Sequence, residues 1–308
     1  MGTITRMNPP EALRQAPHPS PLPLRGIFFD LDDTLIGYAD AERAALTASC
    51  LRAAKIIPEI RPAALARAIY DVYKTGFAYG TPGYQALANL SIDEFRRCLT
   101  TAALERQGIA PEEALVAELV AAYGAAETEA LRAFPEAAET LERLRQHFRL
   151  GIITNGPSAL QRGKLAALAL DGLFETIIVD TEFGHPKPDP RIFDYAARTM
   201  ELPTASLLFV GNSLAYDVTG ARRAGWISVW MNPFGQPLPS HFQPPNAATP
   251  DYIIHHLSDL LSLPPVASVL PLRALRSASA PPPPLPALPV GAPATGVGRA
   301  ALSNDLRI

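Results

Sequence analysis

The chain has 308 residues, 48% of them hydrophobic and 19% charged, enough apolar material for one large domain or two modest ones. A formal net charge of -3, with Lys and Arg scattered rather than clustered, speaks against a nucleic-acid binder. No run reaches the roughly 18 apolar residues of a membrane span and no basic-then-apolar leader opens the chain, so a soluble cytoplasmic protein, monomer or homodimer, is expected.

Residues 1–24 hold several prolines and little periodicity, as in the HPSPLPLR stretch ending at Arg25, and read as a disordered extension. Gly26-Ile27-Phe28-Phe29-Asp30 is a short apolar run ending in a carboxylate, the pattern of a buried parallel strand. From Ala39 to His147 apolar residues recur at helical spacing. Ser91 with Glu94 fits a capping box for a helix running to Gln107 and closed by Gly108, while Pro111 and Pro135 suit first-turn positions. The only two cysteines, Cys50 and Cys98, fall in this helical stretch and read as packed thiols.

Alternation then begins: strand 150–154, helix 158–169, strand 176–179, helix 189–200, strand 207–210, helix 215–224, strand 227–231. Strands alternating with helices predict a doubly wound, Rossmann-like α/β core with a parallel sheet covered on both faces. The distant first strand makes the helical stretch an insertion. The expected division is a core of 25–37 and 146–262, a helical cap of 38–145, and a Pro-rich disordered tail of 263–308.

In such a sheet, ligands bind beyond the carboxyl ends of the strands, so polar groups should gather just after each apolar run. Asp30, Leu31, Asp32, Asp33 and Thr34 follow the first strand, Thr154 and Asn155 the second. Lys187 follows the third after a loop, and Asn212 and Asp217 follow the fourth. An ionised Asp30 is the candidate nucleophile, since carboxylates form covalent phosphoryl intermediates. Asp32 is the candidate acid and base, a role that asks for a raised pKa from burial and a neighbouring carboxylate. So much negative charge calls for a cation, and Mg²⁺ accepts oxygen ligands while tolerating bound phosphate. Lys187 adds positive charge, and Thr154 offers a hydroxyl beside backbone N–H groups at a helix start.

These residues carry a resemblance. Phe28-Phe29-Asp30-Leu31-Asp32-Asp33-Thr34-Leu35, Ile153-Thr154-Asn155-Gly156, Gly184-His185-Pro186-Lys187-Pro188-Asp189-Pro190 and Gly211-Asn212-Ser213-Leu214-Ala215-Tyr216-Asp217 resemble, in order, the four signatures of the haloacid dehalogenase-like hydrolase superfamily. The resemblance implies an Mg²⁺-dependent phosphomonoester hydrolase working through an aspartyl-phosphate on Asp30. Asp32 is then the acid and base and lends its carbonyl to the metal. The implied phosphate contacts come from Leu31, Thr34, Thr154, Asn155 and Lys187, and the implied metal ligands are Asp30, Asp32, Asn212 and Asp217. The helical insertion resembles the cap of one large branch. Stretches around Gln161–Leu165 and Trp230-Met231-Asn232 are similar to pyrimidine-nucleotide and N-acylneuraminate phosphatases, and lean towards a small phosphorylated metabolite, a nucleotide or a sugar phosphate. Asn212 departs from the acidic residue most members carry, which should weaken metal binding.

Three alternatives stay open. A 2-haloacid dehalogenase would need the nucleophile but neither Mg²⁺ nor Asp32, a phosphate-moving mutase would use the same residues, and a catalytically weakened regulatory relative would keep only the fold. Within the cap, the loop Gly76–Tyr84 could set aromatics, Phe77 and Tyr79 among them, against a base or sugar.

Overall fold

The computed structural model describes residues 22–239, 241 and 249–270. Most of the two expected disordered ends, 1–21 and 271–308, lies outside those residues. Six parallel strands, β1 (Gly26–Phe29), β2 (Arg149–Thr154), β3 (Thr176–Val179), β4 (Leu207–Gly211), β5 (Ile227–Met231) and β6 (Tyr252–Ile254), form one sheet in the order β3-β2-β1-β4-β5-β6. This is the doubly wound arrangement expected, and β1 lies between β2 and β4, where the strand order reverses.

Side chains on these strands alternate between two apolar layers, as a sheet buried on both faces requires. Ile27 and Phe29 of β1, with Leu208 and Val210 of β4, enter one cluster. Phe28, Leu207 and Phe209 enter the other, with Phe193 and Trp226. Register is fixed by Phe29 pairing with both Ile152 and Val210, which brings the ends of β1, β2 and β4 to one level.

Between β1 and β2 lie α1 (Tyr38–Ile56), α2 (Pro62–Gly76), α3 (Pro82–Ala86), α4 (Ile92–Arg106) and α5 (Glu113–Ala130), with a separate apolar cluster built around Leu46, Leu65, Leu104 and Leu119. The capping box at Ser91 and Glu94 opens α4, and Gly108, with φ of 71°, follows its end. Pro111 and Pro135 stand just before the N-caps Glu112 and Glu136 rather than inside the first turns. Cys50 is buried as expected, but Cys98 is exposed on α4.

α6 (Ala137–Leu144) belongs with the sheet. Its Ala137, Leu141 and Leu144 pack in the cluster of Ile27 and Phe29, so the helical insertion ends near 131 rather than 145. The insertion leaves and returns through a paired neck, with Gly37 N–H donating to the Arg132 carbonyl at 3.0 Å and Phe134 N–H to that of Leu35 at 2.9 Å.

The core continues with α7 (Ser158–Ala167), α8 (Asp180–Phe183), α9 (Pro190–Thr199), a single π-helical turn at Leu214–Val218, α10 (Thr219–Arg223) and α11 (Pro264–Ala267). Val266 and Leu270 are buried in the sheet cluster, so packed structure runs past residue 262. At the other end Leu24 is buried in the same cluster, which puts it within the core rather than the extension. No described helix is long and apolar enough to cross a membrane.

Candidate active site

Asp30 follows β1 directly, its N–H donating to the Val210 carbonyl of β4 at 2.9 Å, which seats it in the crevice at the strand-order reversal. Lys187 Nζ donates to Asp30 Oδ1 at 2.6 Å and to Asp217 Oδ1 at 2.7 Å, and is itself almost fully buried. Three of the four polar clusters therefore meet on one ammonium. Burial pushes the Asp30 carboxyl up, against the pull of Lys187 and with help from the Asp217 and Asp32 charges, so this carboxylate is not the unperturbed one the sequence implies. Burial alone would lower the Lys187 ammonium, but Asp217 and Asp30 outweigh it and raise it.

Asp217 reaches this position because residue 211 is glycine: a Cβ there would lie 2.3 Å from Asp217 Cγ. The second oxygen of Asp217 accepts from Ser213 N–H at 2.9 Å. Both oxygens thus accept a hydrogen bond, one from Lys187 and one from the main chain, just as the two Asp30 oxygens accept from Lys187 and Thr34.

Thr34 is fully buried, with its hydroxyl donating to Asp30 Oδ2 at 3.2 Å and accepting from Asn212 N–H at 3.0 Å. It orients the carboxylate and ties β1 to β4. The Leu31 side chain is also fully buried, which leaves only its main chain to face a ligand. Asp33 takes a left-handed conformation, φ of 57°, and its Oδ1 accepts from Ala39 N–H at 2.9 Å, so it turns the chain into α1.

Asn155 spends its amide on the neighbouring motif. Its Nδ2 donates to the Lys187 carbonyl at 3.1 Å and its Oδ1 accepts from Lys187 N–H at 2.9 Å, clamping the loop that presents the ammonium. With its amide spent on this clamp, Asn155 has its main chain left for the phosphate contact expected of it. Thr154 is buried and accepts from Gln161 Nε2 at 2.6 Å.

Asp32 is held by α7. Lys164 Nζ lies 2.9 Å from each of its Oδ atoms, and Gln161 Nε2 lies 3.1 Å from Oδ2. Every one of these bonds comes from a donor, so both oxygens act as acceptors here. Burial beside Asp30 is not what governs this side chain; an ion pair to a buried lysine is. The sequence marks the Gln161–Leu165 stretch only through its resemblance to one branch of phosphatases; that Gln161 and Lys164 turn inward with Ser158 and Leu165 to hold Asp32 shows in the fold.

The oxygen atoms suited to a hard divalent cation are those of the Asp30 and Asp217 carboxylates, the Asp32 carbonyl and Asn212 Oδ1. Neither the Asp32 carbonyl nor the Asn212 side chain takes part in a hydrogen bond among the described residues, whereas the Asn212 main chain is fixed by Trp230 Nε1 donating to its carbonyl at 2.9 Å. This set fits Mg²⁺ by donor type. It is poor in charge, and among the described residues no group of three His, Cys, Asp or Glu could hold a metal.

A cavity of about 350 Å³ opens between the helical insertion and the core, with Asp32, Asn155, Gly156, Gln161 and Lys164 on its core side. Its aromatic lining comes from Tyr38, Tyr70, Tyr73, Phe95 and Tyr123 of the cap helices. Phe77 and Tyr79 are not part of it. Phe77 packs edge-on to Phe95, while Tyr79 is exposed with its hydroxyl 2.8 Å from His185 Nδ1. The 76–84 loop instead ties cap to core, since Tyr84 also donates to Asp180 Oδ2 at 2.9 Å.

Comparison with known proteins agrees with this geometry. The sequence profile of haloacid dehalogenase-like hydrolases matches residues 24–225. Glyceraldehyde 3-phosphate phosphatase of Methanopyrus kandleri is 37% identical over 127 residues, 41% of this chain and 54% of that protein, so the match spans a little over half of its length. Among solved structures, 2-haloacid dehalogenase from Pseudomonas syringae pv. Tomato DC3000 is 28% identical with a TM-score of 0.59, covering 80% of this chain and 99% of that one. The putative HAD-hydrolase YfnB from Bacillus subtilis, bound to magnesium, is 26% identical with a TM-score of 0.55, covering 78% and 98%. With the profile spanning more than half of the residues and four motifs meeting at the ends of three strands, the chain belongs to the haloacid dehalogenase-like hydrolase family.

Proposed function

We propose that this chain hydrolyses phosphomonoesters of small metabolites through an aspartyl-phosphate on Asp30, with Mg²⁺. The observation that carries the reading is the Lys187 ammonium shared by Asp30 and Asp217 with a second carboxylate, Asp32, two residues beyond the nucleophile. Asp30 attacks phosphorus and the bond from phosphorus to the ester oxygen breaks. Asp32, released from Lys164 and protonated from solvent, hands that proton to the departing alcohol. It then takes a proton from the water that attacks the phosphorylated Asp30, freeing inorganic phosphate and restoring the Asp30 carboxylate and the Asp32 acid. Lys187 offsets negative charge beside the nucleophile throughout. Asp30, the Asp32 carbonyl, Asn212 and Asp217 would hold the metal, which supplies positive charge opposite the phosphate oxygens when bound. The relatives named as a phosphatase and as magnesium-bound support this choice.

A second reading, 2-haloacid dehalogenation, is favoured by one observation: Asp32 is clasped by Lys164, as a group without a proton-transfer task could be. Release of phosphate from an aryl phosphate, abolished by chelator and by Asp30→Asn, supports the phosphatase. Chelator-insensitive release of halide from a 2-halo acid, with no phosphate release, would replace it.

A further inference from the structure

The cavity above Asp32 carries a charge pattern that its chemistry does not need. Three cations line it. Lys164 is bound to both oxygens of Asp32, and Arg96 is paired with Glu127, which also accepts from the Tyr38 hydroxyl at 3.3 Å. Lys74 is exposed at the rim, its ammonium 5.4 Å from the Tyr70 ring centroid. Inside the cavity, therefore, both positive charges are already matched.

The carboxylates are not. Asp32 and Glu127 are the two partners just named, while Glu42 lines the same cavity, is partly buried, and makes no hydrogen bond or ion pair among the described residues. It stands on one face of α1 with Tyr38 and Leu46, each four residues away, and both of these also line the cavity. Burial raises the Glu42 carboxyl, with the Lys164 charge opposing and the Asp32, Asp33 and Glu127 charges adding, as expected of an anion short of partners. The surrounding wall is aromatic and apolar, and a cavity of about 350 Å³ takes one or two rings rather than a long chain.

Resting for its catalytic arm on the phosphatase reading above, we propose that Glu42 is a specificity-determining residue and that the cavity selects phosphate esters whose organic part is flat and carries a cationic or N–H donor group, against esters carrying a second anionic group. An amine or amide N–H reaching Glu42 supplies the missing partner while the ring meets Tyr38, Tyr73, Phe95 and Tyr123. A carboxylate in the same place meets an uncompensated like charge with no free buried cation to receive it.

The test uses a matched pair on one aryl scaffold, phosphotyramine and the phosphate ester of hydroxyphenylpropionate, with the full chain. The expected kcat/KM favours phosphotyramine by about tenfold. Glu42→Gln brings that ratio to within about twofold, and a loss common to both esters cancels from it. In parallel, calorimetry measures binding of the unphosphorylated alcohols, tyramine and hydroxyphenylpropionate, which reads the cavity without turnover. Hydrolysis of both esters at equal efficiency, or a preference for the carboxylate, overturns the proposal and leaves the phosphatase reading standing. No hydrolysis of either, with tyramine still bound preferentially and Glu42→Gln erasing that preference, keeps the proposal and removes the phosphatase reading. Absence of any binding preference overturns the proposal. Should Glu42→Gln fail to fold, the two wild-type ratios decide.

Discussion

Replacing Lys187 by Met tests whether the three-way charge cluster is the structural centre of the site. The lysine side chain and that of Asp217 are each 2% exposed, and that of Asp30 is 10% exposed, so water cannot substitute for the ammonium. Methionine conserves most of the volume and can lie against the Phe209 ring, 5.2 Å from Nζ, so steric strain adds little. Breaking a buried pair by removing one partner costs about 3–5 kcal/mol, and here two carboxylates lose theirs at once. We expect Lys187→Met to lower unfolding free energy by about 4 kcal/mol, a large part of the roughly 5–15 kcal/mol of an ordinary domain. Asp217→Asn added to it should recover about 2 kcal/mol, because one of the two facing charges is gone; alone, in the presence of Lys187, it should destabilise. Urea unfolding of the four proteins in chelator, with equal slopes, gives the cycle. A cost below about 1 kcal/mol for Lys187→Met, or a double variant no more stable than that single one, would refute the reasoning.

Asn212→Asp restores a carboxylate at a position whose side chain is unengaged, and should tighten Mg²⁺ by about tenfold in a calorimetric titration; no change would mean that residue 212 does not touch the ion. Tyr84→Phe removes the hydroxyl that donates to Asp180 Oδ2 and should cost about 1–2 kcal/mol in thermal or urea unfolding, since it leaves the buried Asp180 carboxylate with main-chain donors alone, Gly156 and Thr181. The hydrogen bonds from Arg191 hold the Asp189 carboxyl down at about 2. A carboxyl depressed in the folded state stabilises above its unfolded pKa and loses that contribution as pH falls through the folded value. Asp189→Asn, which still caps α9, should therefore cost less than about 1 kcal/mol near neutrality, a cost that shrinks as pH falls towards the folded value and is gone below it, as followed by unfolding across that range.

The core of this protein is readable from its sequence because strand length, apolar runs and strand-end polar residues coincide. Phe28-Phe29-Asp30 and Val210-Gly211-Asn212 can only put their polar ends together if β1 and β4 are neighbours, and they are. What the pattern leaves open is how each polar side chain is used. Thr34 and Asn155 stand where phosphate contacts are expected, yet their groups serve Asp30 and the Lys187 loop, a choice set by which partner lies within 3.2 Å in the fold. The cavity lining is harder still. Tyr38, Tyr73, Phe95 and Tyr123 belong to four different helices, and their common direction depends on helix packing that no local period encodes. The 76–84 loop has the more conspicuous aromatics, but its hydroxyls find partners on His185 and Asp180 and its ring at Phe77 packs within the cap. β6 was missed for a simpler reason: three residues, Tyr252–Ile254, are too few for a period to register.

The clasp on Asp32 links these two halves of the molecule. Lys164 Nζ touches both Asp32 oxygens and Gln161 Oε1, and lies 3.1 Å from the ring centroid of Tyr38, the first residue of α1. Gln161 in turn bonds the Thr154 hydroxyl and the Asn155 carbonyl, so one turn of α7 connects the β1 acid, the β2 phosphate loop and a cap aromatic. Asp32, Lys164, Gln161 and Tyr38 all face the cavity, whereas Asp30 does not line it. An organic group arriving there meets the clasp before the nucleophile. On the phosphatase reading, proton delivery to a leaving alcohol requires Asp32 to give up a bond to Lys164, whose ammonium is held in turn by Gln161 and the Tyr38 ring. Since Tyr38 opens the first cap helix directly after the paired neck, any movement of the cap relative to the sheet acts on the lysine that holds the acid. On the phosphatase reading proposed above, a ring that displaces Tyr38 from Lys164 would therefore loosen the clasp on Asp32 as it fills the cavity.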